Sequence, residues 1–156
     1  VLTAYSVGRK FHVESTKIVK AIEAYVPTNN RSQIKNSDKG NYMILDAYNA
    51  NPSSMNLAIE ELLLKKGDKI FILGDMNELG PVSEEEHKKV IEKLINSGCK
   101  AILVGPKFKR YNDSSLIVFE KVEDLIESKQ LDSISNYKVL IKGSRSIKLE
   151  KLESYL

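Results

Sequence analysis

The sequence contains one cysteine, no tryptophan and only four prolines in 156 residues. The single cysteine, Cys99, excludes an internal disulfide, so the fold must depend on core packing, and a reducing compartment is expected. Cys99 follows a glycine and precedes an apolar run, which favours a buried, unreactive thiol. The length is that of one domain with an appendage, sufficient to bury a hydrophobic core.

An excess of one charge is also missing, because 24 basic and 21 acidic side chains leave a net charge of only +3. The small basic excess is spread along the chain, so nothing indicates a nucleic-acid or membrane-surface partner. No apolar run approaches the length that crosses a bilayer, and no signal peptide is recognisable. We therefore expect a cytoplasmic location.

Several catalytic motifs are missing as well. The sequence has no G-x-x-x-x-G-K-[ST] phosphate loop, no G-x-G-x-x-G fingerprint, no zinc-spaced cysteine–histidine cluster and no G-x-S-x-G elbow. We therefore predict no catalytic residue and no metal site within this chain. The chain opens directly on a helical pattern, VLTAYSVGRKF, without an initiator methionine, and we expect it to be a piece of a longer protein.

Residues 1–30 favour two short helices followed by a polar connector. The second helix is predicted to begin with a Ser15 cap and to stop at Pro27. The pattern then changes to a predicted hairpin, with a polar edge strand, a turn at residues 37–40 and a buried strand at residues 42–45.

After the hairpin, apolar strands alternate with amphipathic helices. Such strands predict a parallel sheet covered on both faces. We therefore predict a Rossmann-like, doubly wound, mostly parallel α/β domain over residues 31–156, preceded by the short helical segment of residues 1–30. The predicted elements are a helix over 52–66, the strand KIFILGD, a helix over 83–97 opened by a Ser83–Glu86 capping box, the strands KAILVG and SLIVFE, a helix over 122–129, the strand YKVLIKG, and a C-terminal helix carrying Ile147, Leu149, Leu152 and Leu156.

The segment ILDAYNANPSSM lies where a ligand is expected, because open α/β sheets bind ligands beyond the carboxyl ends of their strands. Asn51 and Pro52 suit the start of a helix, but a simple helix start leaves Asp46, Tyr48 and Asn49 unexplained. A carboxylate at a strand end is well placed to accept hydrogen bonds from sugar hydroxyls, and amides can orient a polar ligand. A ligand-binding role is therefore slightly favoured over a plain turn.

Two other strand ends are polar. In GDMNELG, residues 74–80, Asp75 and Glu78 could meet a metal ion or a cationic group, although acidic turn residues are common on surfaces. His87 follows on an apolar helical stripe, where a structural role is favoured over a catalytic one. In KGSRS, residues 142–146, the free N–H groups near Ser144 and the Arg145 guanidinium suit a carboxylate or phosphate. The alternative for KGSRS is a capped helix with a solvent-facing arginine.

Taken in order, the blocks NNRSQ, LDAYNANPSSM, ILGDMNELG with the following His87, and IKGSRSIKLE resemble the carboxy-terminal part of a Mur ligase. The similarity extends over the whole chain and is greatest to the branch of the family that adds D-alanyl-D-alanine to UDP-N-acetylmuramoyl-tripeptide. Residues 1–27 resemble the last helical segment of that family's central, ATP-binding domain. The resemblance predicts residues 1–30 to be the tail of the central domain and residues 31–156 to be the third domain.

The resemblance implies an ATP- and magnesium-dependent ligase that works through an acyl phosphate and builds peptidoglycan precursors. The implied partners are UDP-N-acetylmuramoyl-tripeptide, D-alanyl-D-alanine, and the enzyme's own amino-terminal and central domains. The phosphate loop, the magnesium ligands and a modified lysine would lie upstream, so this piece alone is expected to be inactive.

The resemblance also implies roles for individual residues. Arg31 matches a basic residue that meets the nucleotide as the domains close, and Asp46 matches the carboxylate expected at the ribose. The nucleotide-binding set implied by the family is Arg31, Asp46, Tyr48, Asn49 and Asn51. The expected dipeptide cleft is Asn49, Asn77, Glu78, Leu79, Ser144 and Arg145, of which Ser144 and Arg145 depend mainly on the anion-binding argument.

Two other classes of function remain open from the residues alone. A receiver-like regulatory module would use Asp46 and Lys142 at strand ends, but the acidic pair that a receiver needs at its first strand is not visible. A pure interaction domain would use the same polar loops to contact another protein, without any effect of nucleotide.

Overall fold

The computed structural model describes residues 1–25, 30–112, 114 and 116–156. Within these residues the chain forms six strands and six α helices. In chain order they are α1 (Leu2–Lys10), α2 (Ser15–Glu23), β1 (Gln33–Asn36), β2 (Tyr42–Asp46), α3 (Pro52–Leu63), β3 (Lys69–Gly74), α4 (Ser83–Ser97), β4 (Lys100–Val104), α5 (Pro106–Tyr111), β5 (Ile117–Phe119), α6 (Val122–Glu127) and β6 (Lys138–Lys142), with 3-10 turns at Gly80–Val82, Gln130–Ser133, Arg145–Ile147 and Leu149–Tyr155.

The strands form one sheet in the order β1-β2-β6-β3-β4-β5. β1 pairs antiparallel with β2, as the hairpin predicts, and the other neighbours are parallel. The last strand, β6, therefore lies between β2 and β3, and the loop that follows it lies beside the loops that follow both neighbours. The predicted Rossmann-like, mostly parallel α/β fold is confirmed.

Each face of the sheet carries its own hydrophobic core. One face packs against α3, α4 and α5 through large side chains such as Met55, Leu94 and Phe108. The other packs against α6 and the C-terminal turns through Leu125, Leu152 and their neighbours. Burying a side chain of this size contributes roughly 1.5–3 kcal/mol, so both layers stabilise the sheet. None of the described helices is long and apolar enough to cross a membrane.

The C-terminal α helix predicted from Ile147, Leu149, Leu152 and Leu156 is wrong. The segment instead forms two 3-10 turns separated by Lys148, whose φ of 62° interrupts a right-handed helix. Spacings of three residues bury Leu149 and Leu152 on the same side of a 3-10 turn. The helical spacing seen in the sequence fits this geometry over so short a stretch.

Two predicted caps are also wrong. The first residue of α4, Ser83, follows a 3-10 turn and already has helical backbone angles, so Val82 takes the cap position without a side-chain bond. In α2 the cap position belongs to Glu14, and the Ser15 hydroxyl accepts hydrogen bonds from the first helix.

Two further differences concern α5 and Cys99. The helix α5, which begins directly after Gly105, was not predicted. Its six residues form only about a turn and a half, too few for a periodic signal. Cys99 is half-buried, so the expectation of a buried thiol is wrong. The predicted stop at Pro27 lies outside the described residues.

Candidate functional site

The carboxyl ends of β2, β6 and β3 meet along one edge of the sheet, which we call the carboxyl edge. Three loops follow these strands: the β2 loop (residues 47–51), the β3 loop (residues 75–79) and the β6 loop (residues 143–146). The β3 and β6 loops begin in close contact, since a Cβ added to Gly143 would lie 2.9 Å from Gly74 Cα. All the predicted site residues except Arg31 and Asp46 belong to these loops, and Asp46 directly precedes the β2 loop.

Asp46 is held at this edge by a buried lysine. Lys142, at the end of β6, is 1% exposed, and its Nζ lies 2.5 Å from Asp46 Oδ2. The same ammonium donates a hydrogen bond to the Asn49 carbonyl at 3.0 Å. The Asp46 side chain keeps 19% of its surface exposed, so it still faces solvent beyond the ion pair.

The short connector that directly precedes β1, residues 30–32, also reaches this site. The Ser32 N–H donates to Asp46 Oδ1 at 3.1 Å, and Ser32 has a φ of 47°, a conformation that a residue other than glycine seldom adopts. The guanidinium of Arg31 lies 3.9 Å from the centre of the Tyr48 ring. A second guanidinium, that of Arg145, lies 5.4 Å from the same ring. Two exposed cations therefore flank one aromatic ring beside the Asp46 carboxylate.

The two asparagines of the β2 loop bond locally. Asn51 caps α3, because its side chain accepts from the Ser54 N–H at 2.9 Å while the Ser54 hydroxyl accepts from the Asn51 N–H. Asn49 Oδ1 accepts from the Ala50 N–H at 2.9 Å. The helix-start interpretation of Asn51 is confirmed, and Asn49 remains exposed at the carboxyl edge.

The β3 loop is tied to the β6 loop through Asn77. Its backbone N–H donates to Ser144 Oγ at 2.9 Å, and its side-chain amide donates to Ser146 Oγ at 2.7 Å. Lys107, from α5, donates to Asn77 Oδ1 at 2.9 Å. The Ser144 hydroxyl is therefore engaged within the protein, while the Arg145 side chain on the same loop is exposed.

The other two residues of the expected dipeptide cleft point in different directions. Glu78 is exposed and has a φ of 62°. Leu79 is half-buried and packs against the core beneath α3, α4 and α5. A hollow of about 360 Å³ lies beside Asn77 and Ser146 and is lined elsewhere by the starts of α5 and α6 and by Lys148.

Asp75, the first residue of the β3 loop, and His87 of α4 form a separate, buried unit. The Asp75 side chain is 1% exposed and accepts hydrogen bonds from the Lys107 and Phe108 N–H groups, both at 2.8 Å. These are free donors in the first turn of α5, so Asp75 caps that helix from the loop that follows β3. Gly105 permits this contact, because a Cβ there would lie 2.3 Å from Asp75 Cγ.

The His87 imidazole is fully buried with both nitrogens bonded. Nε2 accepts from the Met76 N–H at 3.1 Å, so the ring proton lies on Nδ1 and is donated to the Ser83 carbonyl at 2.6 Å. The imidazole is therefore neutral, and Nε2 and Asp75 Oδ1, which lie 3.8 Å apart, do not form an ion pair. The structural interpretation of His87 fits these contacts.

Burial shifts the pKa of both groups in the Asp75–His87 unit. It raises the pKa of the Asp75 carboxyl, against the opposing effect of the two helix N–H groups. It lowers the pKa of the His87 imidazole, against the opposing effects of the Ser83 hydrogen bond and the Asp75 charge. Burial therefore favours the neutral form of each side chain.

The described residues contain no group of three or more histidine, cysteine, aspartate or glutamate side chains that could hold a metal ion. Sequence reasoning paired Lys142 with Asp46 only in the receiver-like alternative and left it out of the ligase site, although its position at a strand end was a usable signal. It also missed Lys107, because α5 was not predicted.

Comparison with known proteins gives a family for this architecture. Residues 30–145 match the model described as Mur ligase, glutamate ligase domain. Over 122 residues the chain is 34% identical to the UDP-N-acetylmuramoyl-tripeptide–D-alanyl-D-alanine ligase of Rickettsia prowazekii, covering 72% of this chain and 27% of that protein.

Solved structures agree with this match. MurF from Acinetobacter baumannii gives a TM-score of 0.75 and 28% identity, covering 95% of this chain and 34% of that one. MurF ligase from Thermotoga maritima in complex with ADP gives a TM-score of 0.77 at 22% identity, over 96% of this chain and 35% of that one, which shows a shared fold. The chain spans about a quarter to a third of the length of the relatives it matches.

Proposed function

Since the chain belongs to the Mur ligase family, we propose that it forms the carboxy-terminal part of an ATP-dependent ligase that adds D-alanyl-D-alanine to UDP-N-acetylmuramoyl-tripeptide. The names of its relatives support this substrate pair. The observation that carries the proposal is the grouping of Arg31, Tyr48, Arg145 and the Asp46–Lys142 pair at the carboxyl edge. In the full enzyme this edge would contribute one wall of the active site.

Nucleotide binding is the role we propose for the surface around Asp46. Its partly exposed carboxylate suits the hydroxyl groups of a ribose, and the Arg31 guanidinium suits a phosphate. Tyr48 and Asn49 border the same surface, and Asn51 acts through the α3 cap that fixes the loop. The donor set therefore fits ATP, whereas a magnesium ion accompanying ATP would take its ligands from other parts of the enzyme.

The dipeptide is the ligand we propose for the side of the β6 loop that bears Arg145. An exposed guanidinium can bind the dipeptide carboxylate bidentately. Asn77 and Ser144 would contribute by fixing the β3 and β6 loops to one another. Asn49 in the β2 loop and Glu78 in the β3 loop are exposed polar groups at the same edge. Leu79 would contribute through packing beneath the loop.

The amino-terminal helices support the domain assignment, in which residues 1–30 are the tail of a central domain and residues 31–156 the third domain. Large apolar side chains such as Leu2 and Phe11 are 82% and 75% exposed. A groove of about 580 Å³ between α1 and α2 is lined mainly by apolar residues. We propose that the enzyme's central domain covers this surface, and that the enzyme works in the cytoplasm.

The chemistry that we propose for the complete enzyme is activation of the tripeptide carboxylate by ATP as an acyl phosphate, followed by attack of the dipeptide amine. This chain would bind and orient the nucleotide and the acceptor, and would not form the new bond alone. A receiver-like module is less well supported, because the part of the chain that the structure describes has no group of three or more acidic, histidine or cysteine side chains that could hold a metal ion beside Asp46.

The test uses the full-length enzyme with purified substrates. Phosphate release should require ATP, UDP-N-acetylmuramoyl-tripeptide and D-alanyl-D-alanine together. We expect Arg31→Gln to lower kcat/KM for ATP by about 100-fold, because a charge-assisted phosphate contact is lost. The matched control is Arg110→Gln, an exposed arginine on α5, which should leave the kinetics unchanged.

Two results would contradict the proposal. If phosphate release does not depend on D-alanyl-D-alanine, this dipeptide is not the acceptor substrate of the enzyme. If the Arg31→Gln enzyme has unchanged kinetics, Arg31 does not bind the nucleotide, and the interaction-domain alternative is favoured.

A further inference from the structure

Lys142 is a buried cation at the centre of the carboxyl edge. Of the lysines and arginines that the structure describes, it is the one that counts as buried, at 1% exposure. Removing an ammonium group from water costs several kcal/mol unless partners replace the lost hydration. Two groups replace this hydration, the Asp46 carboxylate and the Asn49 carbonyl.

Both partners lie on the nucleotide side of the proposed site. The Lys142 ammonium bonds Asp46 Oδ2 at 2.5 Å and the Asn49 carbonyl at 3.0 Å. One contact fixes the carboxylate at the end of β2, and the other fixes the backbone of the β2 loop three residues later. A single side chain from β6 therefore sets both the rotamer of Asp46 and the path of the loop.

The Asp46 carboxylate passes this constraint on to the connector. While Lys142 holds Oδ2, Oδ1 accepts the Ser32 N–H, beside the residue that we assign to the phosphates, Arg31. The strand that ends in Lys142 continues into Gly143 and Ser144, and Ser144 Oγ accepts the Asn77 N–H of the β3 loop. Lys142 thus lies where the nucleotide side and the acceptor side of the edge meet.

Stability alone does not explain this ion pair. Replacing a buried ion pair by well-packed apolar side chains is often neutral or stabilising. Positions that only hold the sheet together can be apolar, as Leu140 and Ile141 are in the same strand. Lys142 differs from these residues in having its charge aimed at a carboxylate that remains partly exposed to solvent.

We propose that Lys142 is a positioning residue for the ligase reaction, which orients the Asp46 carboxylate and the β2 loop toward the nucleotide. It would act through Asp46 and would not touch the substrates. The inference rests on the proposed function for its kinetic test, and a second test does not depend on turnover.

The kinetic test is a double-mutant cycle in the full-length enzyme. We expect Lys142→Met to raise the KM for ATP by about tenfold with a smaller change in kcat, because ground-state binding of the nucleotide loses its orientation. The double variant, which carries both Asp46→Asn and Lys142→Met, should have about the same KM for ATP as the more affected single variant. Multiplied effects of the two substitutions would show independent roles and overturn the proposal.

The matched control for the kinetic test is Lys138→Met, at the opposite end of the same strand. It should leave the KM for ATP unchanged. Lys142→Arg, which keeps the charge but changes the geometry, should recover only part of the affinity. Full recovery with Lys142→Gln, which cannot form the ion pair, would also overturn the proposal.

The second test observes the loop directly by NMR in this 156-residue chain. In Lys142→Met the backbone amide resonances of Ser32 and of residues 48–50 should shift, whereas in Lys138→Met they should not. If only the neighbours of Lys142 in the sheet respond, Lys142 does not position the loop. Absence of turnover in the wild-type enzyme would contradict the proposed function, while the NMR result would still decide the positioning role.

Discussion

Two aspartates of this chain lie at the carboxyl edge, one as the last residue of β2 and the other as the first residue after β3, and they have different surroundings. Asp75 is 1% exposed, and both of its oxygens bond backbone N–H groups of α5. Asp46 keeps 19% of its side chain exposed and bonds a lysine and the connector. A carboxylate at a strand end is therefore structural when a helix satisfies both oxygens, and available to a ligand when part of it still faces solvent.

The largest expected effect concerns the space that Asp75 requires. Gly105→Ala should lower the free energy of unfolding by about 3 kcal/mol or more, because its φ is 133° and the new Cβ would collide with the Asp75 carboxyl. Gly98→Ala is the matched control, since Gly98 has a φ of 64° with no atom within 4 Å of the new Cβ. It should cost about 1 kcal/mol. Equal losses in urea unfolding would contradict the close packing of Asp75.

The next prediction compares the two aspartates directly. Asp75→Asn should destabilise the chain by about 2–3 kcal/mol, because the new amide group presents a donor to a buried N–H of α5. Asp46→Asn should cost only about 1 kcal/mol, since the amide oxygen still accepts from Lys142 and the other group can reach water. Urea unfolding of both variants measures the difference. A reversed order of the two losses is the outcome that this comparison does not allow.

A smaller effect is expected from pH. Because the pKa of His87 is lowered in the folded chain, the unfolded chain binds protons more readily below the ordinary value of about 6.5. The free energy of unfolding should therefore fall as the pH decreases from 7.5 through 6.5. The raised pKa of Asp75 acts with the opposite sign at lower pH, adding stability as the carboxyl becomes protonated.

The control for this pH dependence is the other histidine, His12, which is exposed and has a φ of 58°. His87→Gln should remove most of the slope between pH 7.5 and 6, whereas His12→Asn should retain it. Asparagine is chosen for position 12 because it tolerates this backbone conformation. An unchanged slope in His87→Gln would show that another group is responsible.

The smallest predicted effect is at the α3 cap. Asn51→Ala should lower the free energy of unfolding by about 1 kcal/mol, and Asn51→Ser should restore it, because serine also caps a helix. If Asn51 acts only through the cap, Asn51→Ser should also retain the KM for ATP of the full-length enzyme. A raised KM in a stable Asn51→Ser enzyme would instead assign Asn51 a direct nucleotide contact.

Much of the fold follows from local patterns. The apolar strands predict the parallel sheet, and the turn at residues 37–40 predicts the antiparallel edge, because these features are set by short-range sequence. The 3-10 turns at the C terminus and the short helix α5 escape such reasoning. Their lengths are too small for periodicity, and α5 depends on a cap from Asp75, which is 31 residues from the start of the helix in the sequence.

The sequence indicates candidate residues for the site, but it does not give their contacts. Asp46, Tyr48 and Arg145 stand out as polar residues at strand ends, and the order of the strands brings them together. That Lys142 would be buried against Asp46 depends on β6 being inserted beside β2, which the local sequence does not specify. In the same way, only the packing of α4 against the β3 loop shows that both nitrogens of His87 are engaged.

The most direct test of the difference between the two aspartates is the kcat/KM for ATP of the full-length enzyme carrying Asp46→Asn, beside its urea unfolding curve. We predict a loss of about 100-fold, equivalent to about 2.7 kcal/mol of transition-state stabilisation, in an enzyme that remains folded. A folded Asp46→Asn enzyme with wild-type kcat/KM would contradict it, and would make Asp46 a structural residue like Asp75.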